Sequence, residues 1–181
     1  MDQRSLKKIN YLHPIIRGSV FNIYEEINRF ALGIGLRCRI TSTFRTPEEQ
    51  KILYSYGRTV FYKDGERTGK VTNAKPFQSF HNYGLALDFC LIEDRNFDGK
   101  FESASFDIYR DFDGDGRRDY LEVIQIFKKY NFKSGSDFKK FKDWPHIEKP
   151  ILSIQDLKNK YDSGDTFQEI ISGNVYTYVN L

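Results

Sequence analysis

Cysteine is nearly absent from this chain: Cys38 and Cys90 are the two copies among 181 residues. Two thiols cannot supply a disulfide framework or close a structural zinc shell. Their apolar, strand-like settings read as buried thiols instead. Long apolar runs are also missing, so no stretch approaches the length that would cross a bilayer. Met1 to Asn10 is polar and holds no hydrophobic segment of the signal-peptide kind, so the expectation is synthesis in the cytoplasm without a signal peptide. Excess charge is small: the formal net charge is +3, with no Arg-rich arm, which argues against nucleic acid as a partner. No internal repeat stands out beyond two short acidic loops.

Aromatic residues, by contrast, are plentiful. Sixteen Phe and twelve Tyr predict a core and a cleft built on rings. The length suits one domain with its own core, expected over residues 1–150 and acting as a monomer, with residues 151–181 as a tail too short to fold alone and packed on it. Six lysines between Lys128 and Lys142 follow an acid-rich stretch from Glu93 to Glu122, so the surface should be electrostatically two-sided.

Chemistry concentrates in two fragments. From Gly84 onward the chain reads as a buried strand with Leu85, Leu87, Phe89 and Leu91 on one face and Ala86, Asp88 and Cys90 on the other. A carboxylate there is costly unless a cation or a hydrogen-bonding partner meets it. His81 lies seven residues earlier and has the wrong parity for that face, so it must reach Asp88 from a turn, which Asn82-Tyr83-Gly84 can supply. The second fragment, Phe141-Lys142-Asp143-Trp144-Pro145-His146-Ile147-Glu148, contains a proline that excludes a helix and displays Asp143 and His146 from a loop or the start of a strand. His81, Asp88 and His146 make a nitrogen and oxygen set with a fourth position open, the composition of a catalytic zinc site.

The pattern S-x-H-x-x-G-x-A-x-D followed by D-x-x-H resembles the M15 family of zinc peptidases, and most closely its L-alanyl-D-glutamate endopeptidases, which include phage endolysins. The similarity runs from about Leu12 to Glu148. It implies an α+β fold of the D-Ala-D-Ala-peptidase/hedgehog type, an antiparallel sheet with helices on one side, carrying strands near Leu36, Leu85 and His146. It also implies zinc on His81, Asp88 and His146, Asp143 as general base, Arg45 holding a substrate carboxylate or the developing oxyanion, and action at the cell wall or periplasm on the peptidoglycan stem peptide. Glu148 is the competing base, since it would share a strand face with His146. The alternatives in function are a D-Ala-D-Ala carboxypeptidase or dipeptidase of the same fold, and a non-catalytic zinc and calcium module that binds a wall polymer.

Arg45 ends a strand expected from Leu36 to Phe44, on which Cys38, Ile40 and Ser42 should share a face. Thr46-Pro47-Glu48-Glu49 is a capping box that starts the next helix. Gln50 on that helix and Ser79 before His81 are candidate substrate contacts, Ser79 otherwise orienting His81. A helix with Val20, Ile23, Tyr24 and Ile27 at helical period precedes the strand, and His13 is expected to cap or connect rather than ligate. Asp64-Gly65 marks a hairpin.

An insertion, about residues 93–122, carries its own signature. Asp111 to Glu122 matches D-x-[DN]-x-[DN]-G-x5-E, placing Asp111, Asp113, Asp115, Asp119 and Glu122 at ligand positions and Arg117 at position seven, where such loops use a backbone carbonyl. Calcium is the expected occupant. The loop should run into a helix striped by Val123, Ile124, Phe127 and Tyr130. An earlier copy from Asp94 lacks the final acid, having Ser105 there, and reads as partial.

Overall fold

The computed structural model describes residues 2–181. Its helices are α1 (Gln3–Ile9), α2 (Pro14–Glu26), α3 (Pro47–Ser55), α4 (Asp119–Lys129) and α5 (Ile154–Asp162). Its strands are β1 (Leu36–Ser42), β2 (Tyr62–Lys63), β3 (Glu66–Arg67), β4 (Ala86–Glu93), β5 (Ser103–Ser105), β6 (Lys133–Ser134), β7 (His146–Glu148), β8 (Thr166–Ile171) and β9 (Asn174–Val179). The main sheet is antiparallel in the order β1-β4-β7-β6, and β5 pairs with the far end of β4. This is the expected α+β arrangement.

β4 is central because its sequence is apolar on both faces. Leu85, Leu87, Phe89 and Leu91 point into a core shared with Ile23, Tyr24 and Ile27 from α2 and its extension, and with Val123, Ile124 and Phe127 from α4. α4 contributes Tyr120 rather than Tyr130 to this core. Tyr120 is fully buried, its ring stacks on Phe89 at 4.6 Å between centroids, and its hydroxyl donates to the Phe89 carbonyl, whereas Tyr130 lies past the helix end with its side chain at the surface. Beyond Glu26 the helix widens into a π-helical turn over Ile27–Ala31 before Gly33 ends the run.

The free edge of β1 is closed by side chains rather than by another strand. Asn28 Oδ1 accepts from Cys38 N–H (2.9 Å) and Ser5 Oγ from Ile40 N–H (2.9 Å). Ser5 sits on α1, a helix that the polar N-terminal sequence did not suggest; its charged residues face solvent while Ser5 and Ile9 are buried. Ser42 does not share the core face of Cys38 and Ile40. Ile40 opposes Phe89 but Ser42 opposes Asp88, so a bulge at Thr41 turns Ser42 to the face of Asp88.

The C-terminal residues form α5 and the hairpin β8-β9. Leu157 and Val179 are buried in the core cluster. His13 caps α2, its Nδ1 accepting from Ile15 N–H (3.2 Å), and its Nε2–H donates to the Val179 carbonyl (2.8 Å). It therefore ties the hairpin to the rest of the chain. Cys38 and Cys90 are buried free thiols. Asp64 and Gly65, at φ 52 and 84, make the turn between β2 and β3.

Gly84 closes the turn before β4 at φ 67, and a Cβ there would lie 2.7 Å from the His13 backbone nitrogen. Replacing it therefore adds backbone strain to a clash with main chain that cannot yield. Gly84→Ala is expected to destabilise the fold by about 2 kcal/mol or more, read as a shifted denaturant midpoint; an unchanged midpoint would contradict this packing.

Candidate metal centre

The turn Phe80–Tyr83 is a short 3-10 segment, started by Ser79 and ended by Gly84, and it lifts His81 over the edge of the sheet. β4 presents Asp88, and β7 presents His146 directly opposite it in the ladder. The three side chains meet. His81 Nε2 and His146 Nδ1 are 3.2 Å apart, and each lies 3.3 Å from the same oxygen, Asp88 Oδ1.

The proton positions follow from the outer contacts. His81 Nδ1 is 2.6 Å from the Thr43 carbonyl, which can only accept, so Nδ1 carries the hydrogen and Nε2 is bare. His146 Nε2 is 3.0 Å from Glu148 Oε2, so its hydrogen points there and Nδ1 is bare. Two bare nitrogens and a carboxylate oxygen thus form a triangle with edges of 3.2 and 3.3 Å. A tetrahedral ion with bonds of about 2.0–2.1 Å has ligand edges of about 3.3 Å, so the trio has the size of one face of a zinc site. Those bare nitrogens belong to the metal-bound form: without metal, burial opposes charge on His146, but hydrogen bonds to Asp88 and Glu148 outweigh it and raise the imidazole to about 9, so a proton takes the metal's place on Nδ1. Burial likewise opposes ionisation of Asp88, but the two histidines hold its carboxyl well below the usual range. The centre asks for positive charge.

A cleft of about 980 Å³ opens over this triangle, lined among others by Arg45, Ser79, Asp143 and Glu148. Asp143 sits in the turn that leads into β7: its carbonyl accepts from His146 N–H (3.1 Å) and its N–H donates to the Gly135 carbonyl (3.0 Å). Gly135 is required for this approach, because a Cβ there would lie 2.3 Å from the Asp143 oxygen. Among the described residues the Asp143 carboxylate has no hydrogen-bond or ion-pair partner. Burial raises its proton affinity, with the nearby Asp88 charge adding to the effect against the neighbouring cations. Glu148 is instead committed to His146, which separates the two carboxylates that the sequence left in competition.

Arg45 follows the bulged end of β1. One guanidinium nitrogen is 3.6 Å from Asp88 Oδ2 and 3.3 Å from Ser42 Oγ, and the other donates to Gln50 Oε1 (3.0 Å). Glu48 and Glu49 do not take it; Glu49 completes the capping box with Thr46. Gln50 is 0 % exposed, so the expectation that it touches substrate is corrected: it is enclosed behind Arg45. Ser79 Oγ accepts from His81 N–H (3.3 Å) and faces the cleft. Nothing in the sequence pointed to the Thr43 carbonyl, since a main-chain acceptor carries no side-chain signature.

In the acidic loop Asp111, Asp113 and Asp115 bring carboxylate oxygens within 4.8 Å of one another. Asp113 Oδ2 also accepts from Gly33 N–H (2.8 Å), pinning the loop to the end of the widened helix. Asp119 Oδ2 accepts from Phe112 N–H (2.7 Å), but its Oδ1 and Glu122 Oε2 are buried without a partner. Burial first, then the charges of Asp113 and Asp111, raise the Asp119 carboxyl; burial, then Asp115, raises Glu122. The Arg117 side chain reaches Glu122 Oε1 at 3.4 Å.

Residues 72–149 match a peptidase M15 family model described as D-alanyl-D-alanine carboxypeptidase. The chain is 38% identical over 137 residues to peptidoglycan L-alanyl-D-glutamate endopeptidase CwlK of Bacillus subtilis, covering 76% of this chain and 72% of that protein. The chain belongs to the M15 peptidase family. The crystal structure of Serratia marcescens L-Ala D-Glu endopeptidase ChiX has the same fold, with a TM-score of 0.51 at 16% identity over 86% of this chain and 91% of that one. Zinc dependence is typical of M15 peptidases, and the His-Asp-His triangle meets that requirement in donor type and size.

Because Glu148 holds the His146 tautomer from outside the triangle, Glu148→Gln is expected to weaken zinc binding by about 10- to 100-fold without abolishing it. Competition against a chelating indicator measures this; a complete loss of zinc would make Glu148 a ligand, and an unchanged affinity would deny it any role.

Proposed function

We propose that this M15 family member is a zinc-dependent peptidoglycan endopeptidase that cuts the L-Ala to D-Glu bond of the stem peptide. The observation that carries the reading is a free carboxylate, Asp143, and a guanidinium, Arg45, facing one cleft with the His-Asp-His triangle. The choice of bond is supported by the resemblance to CwlK. His81 Nε2, Asp88 Oδ1 and His146 Nδ1 would hold the metal. Zinc bound there would lower the pKa of a water to about 7 and polarise the scissile carbonyl.

The protein's own groups do the rest. Asp143 accepts the proton of the attacking water and returns it to the departing amine of D-Glu; its burial makes it a better base than an ordinary carboxylate. Arg45, with its Asp88 contact neutralising only part of its charge, stabilises the oxygen on which negative charge develops. Ser79 and the Thr43 carbonyl fix His81, and Glu148 fixes His146. One copy of the chain supplies each of these groups, which supports reading the enzyme as a monomer acting at the cell wall. A D-Ala-D-Ala carboxypeptidase is the second reading, favoured by the description of the matching family model. A non-catalytic wall-binding module is disfavoured by Asp143, whose carboxylate has no hydrogen-bond or ion-pair partner among the described residues.

Calcium in the loop Asp111–Glu122 is part of the same proposal. Clustered acids alone would be a solvated turn, but two buried and unpartnered oxygens on Asp119 and Glu122 beside them call for a cation.

Mass analysis of fragments from purified muropeptides is expected to show release of the peptide beginning at D-Glu; release of terminal D-Ala alone would favour the carboxypeptidase. Asp143→Asn should keep zinc and lose about a hundredfold or more in turnover, and full activity would remove Asp143 as the base. Calcium at a hundred times its dissociation constant should add about 2.7 kcal/mol, raising the melting temperature by roughly 5–10 °C. The double variant Asp115→Asn with Glu122→Gln should lose that shift; a shift that survives would place calcium elsewhere.

A further inference from the structure

We infer that Gln50 and Asn82 are positioning residues that lock Arg45 and one wall of the cleft into a single unit, so that Gln50 sets both the oxyanion-stabilising group and the shape of the substrate channel. The inference rests on the peptidase reading and deepens it. The wall is the segment from Lys70 to Gln78, which is irregular and cannot hold its shape by a backbone ladder.

Two buried carboxamides replace the ladder. The Gln50 side chain accepts from Arg45 through Oε1 (3.0 Å) and donates through Nε2 to the Ala74 carbonyl (2.7 Å). Asn82, also buried, donates through Nδ2 to the Arg45 carbonyl (2.9 Å) and accepts through Oδ1 from Phe77 N–H (3.0 Å). Each amide therefore grips Arg45 with one end and the wall with the other. The Arg45 N–H in turn donates to the His81 carbonyl (3.0 Å), so the unit continues into the ligand-bearing turn.

Phe77 shows that the wall is held rather than relaxed. It has a φ of 63, a left-handed conformation that a residue with a bulky side chain rarely adopts. Its N–H is fixed by Asn82 and its carbonyl accepts from the Tyr83 hydroxyl (3.1 Å). Such outliers persist only where neighbours over-determine them, and they gather at ligand clamps. Asn82 and Tyr83 stand inside the turn between His81 and Gly84, so the short motif that delivers a metal ligand also pins the wall.

The two ends of the Gln50 amide can be separated by substitution. Gln50→Glu keeps an acceptor for Arg45 and loses the donor to Ala74; Gln50→Met keeps the volume and loses both. Steady-state cleavage of muropeptides, with hydrogen exchange of the wall amides measured on substrate-free protein, distinguishes them. For Gln50→Glu the expected result is faster exchange over residues 70–78 and a KM raised about tenfold, with a kcat that falls less than in Gln50→Met, because the new carboxylate keeps Arg45 aimed while offsetting part of its charge. For Gln50→Met kcat should also fall, by about 10- to 100-fold, the scale for a misplaced catalytic group. Equal effects of both variants on kcat and KM, or wall exchange unchanged in both, would overturn the inference. If the unaltered protein cleaves no muropeptide, the peptidase reading fails, while the exchange comparison still decides whether Gln50 holds the wall.

Discussion

The pairing of Asp88 with His146 across β4 and β7 is the constraint on which the rest of the molecule depends. Two candidate ligands contributed by directly opposed residues keep their separation as long as the ladder holds, and a slip of one residue would put them on opposite faces of the sheet. The core guards that register from below. Phe89, next to Asp88, is stacked on Tyr120 and donates its N–H to the Pro145 carbonyl, next to His146. The apolar half of the strand thus determines where the polar half can stand. His81 joins from outside the ladder through a four-residue turn closed by Gly84, where the His13 main chain leaves no room for a Cβ.

Around the triangle lies a layer of groups that hold the inner groups in place and so determine what those can do. The Thr43 carbonyl and Glu148 select the histidine tautomers; Gln50, Asn82 and Ser42 aim Arg45. Most of these contacts are buried, where an amide or carboxylate left without a partner is costly. Each replacement therefore costs stability as well as geometry. The bulge at Thr41 belongs to the same layer, because without it Ser42 would point into the core and Arg45 would emerge at a different angle.

The meeting of His81, Asp88 and His146 was legible in the sequence because their spacing has few physical solutions: parity along β4 exposes Asp88, the turn must deliver His81, and Pro145 forces His146 onto an extended segment. The capping box at Thr46 and the helical period of Val20, Ile23, Tyr24 and Ile27 were legible for the same reason. What could not be read depends on pairing. Glu148 and Asp143 are both carboxylates near His146, and the ladder alone, by pointing Glu148 at His146 Nε2, shows which one remains free. Gln50 was read as a substrate contact because a helix that follows a cleft arginine suggests exposure; burial behind Arg45 reverses its role. α1 and β8 were not legible because each buries few side chains and so has a weak apolar pattern.

The acidic loop joins this centre from the other side of Phe89. Tyr120, second residue of α4, lies between Asp119 and Glu122, so the same helical turn carries the unpartnered oxygens of the loop and the ring that supports β4. Anomalous diffraction at the zinc edge from crystals of the zinc-loaded protein tests the account most directly. It predicts a single strong peak about 2 Å from His81 Nε2, His146 Nδ1 and Asp88 Oδ1, with Glu148 on the far side of the His146 ring. A peak bound through His146 Nε2 or Glu148, or none between the three, would contradict it.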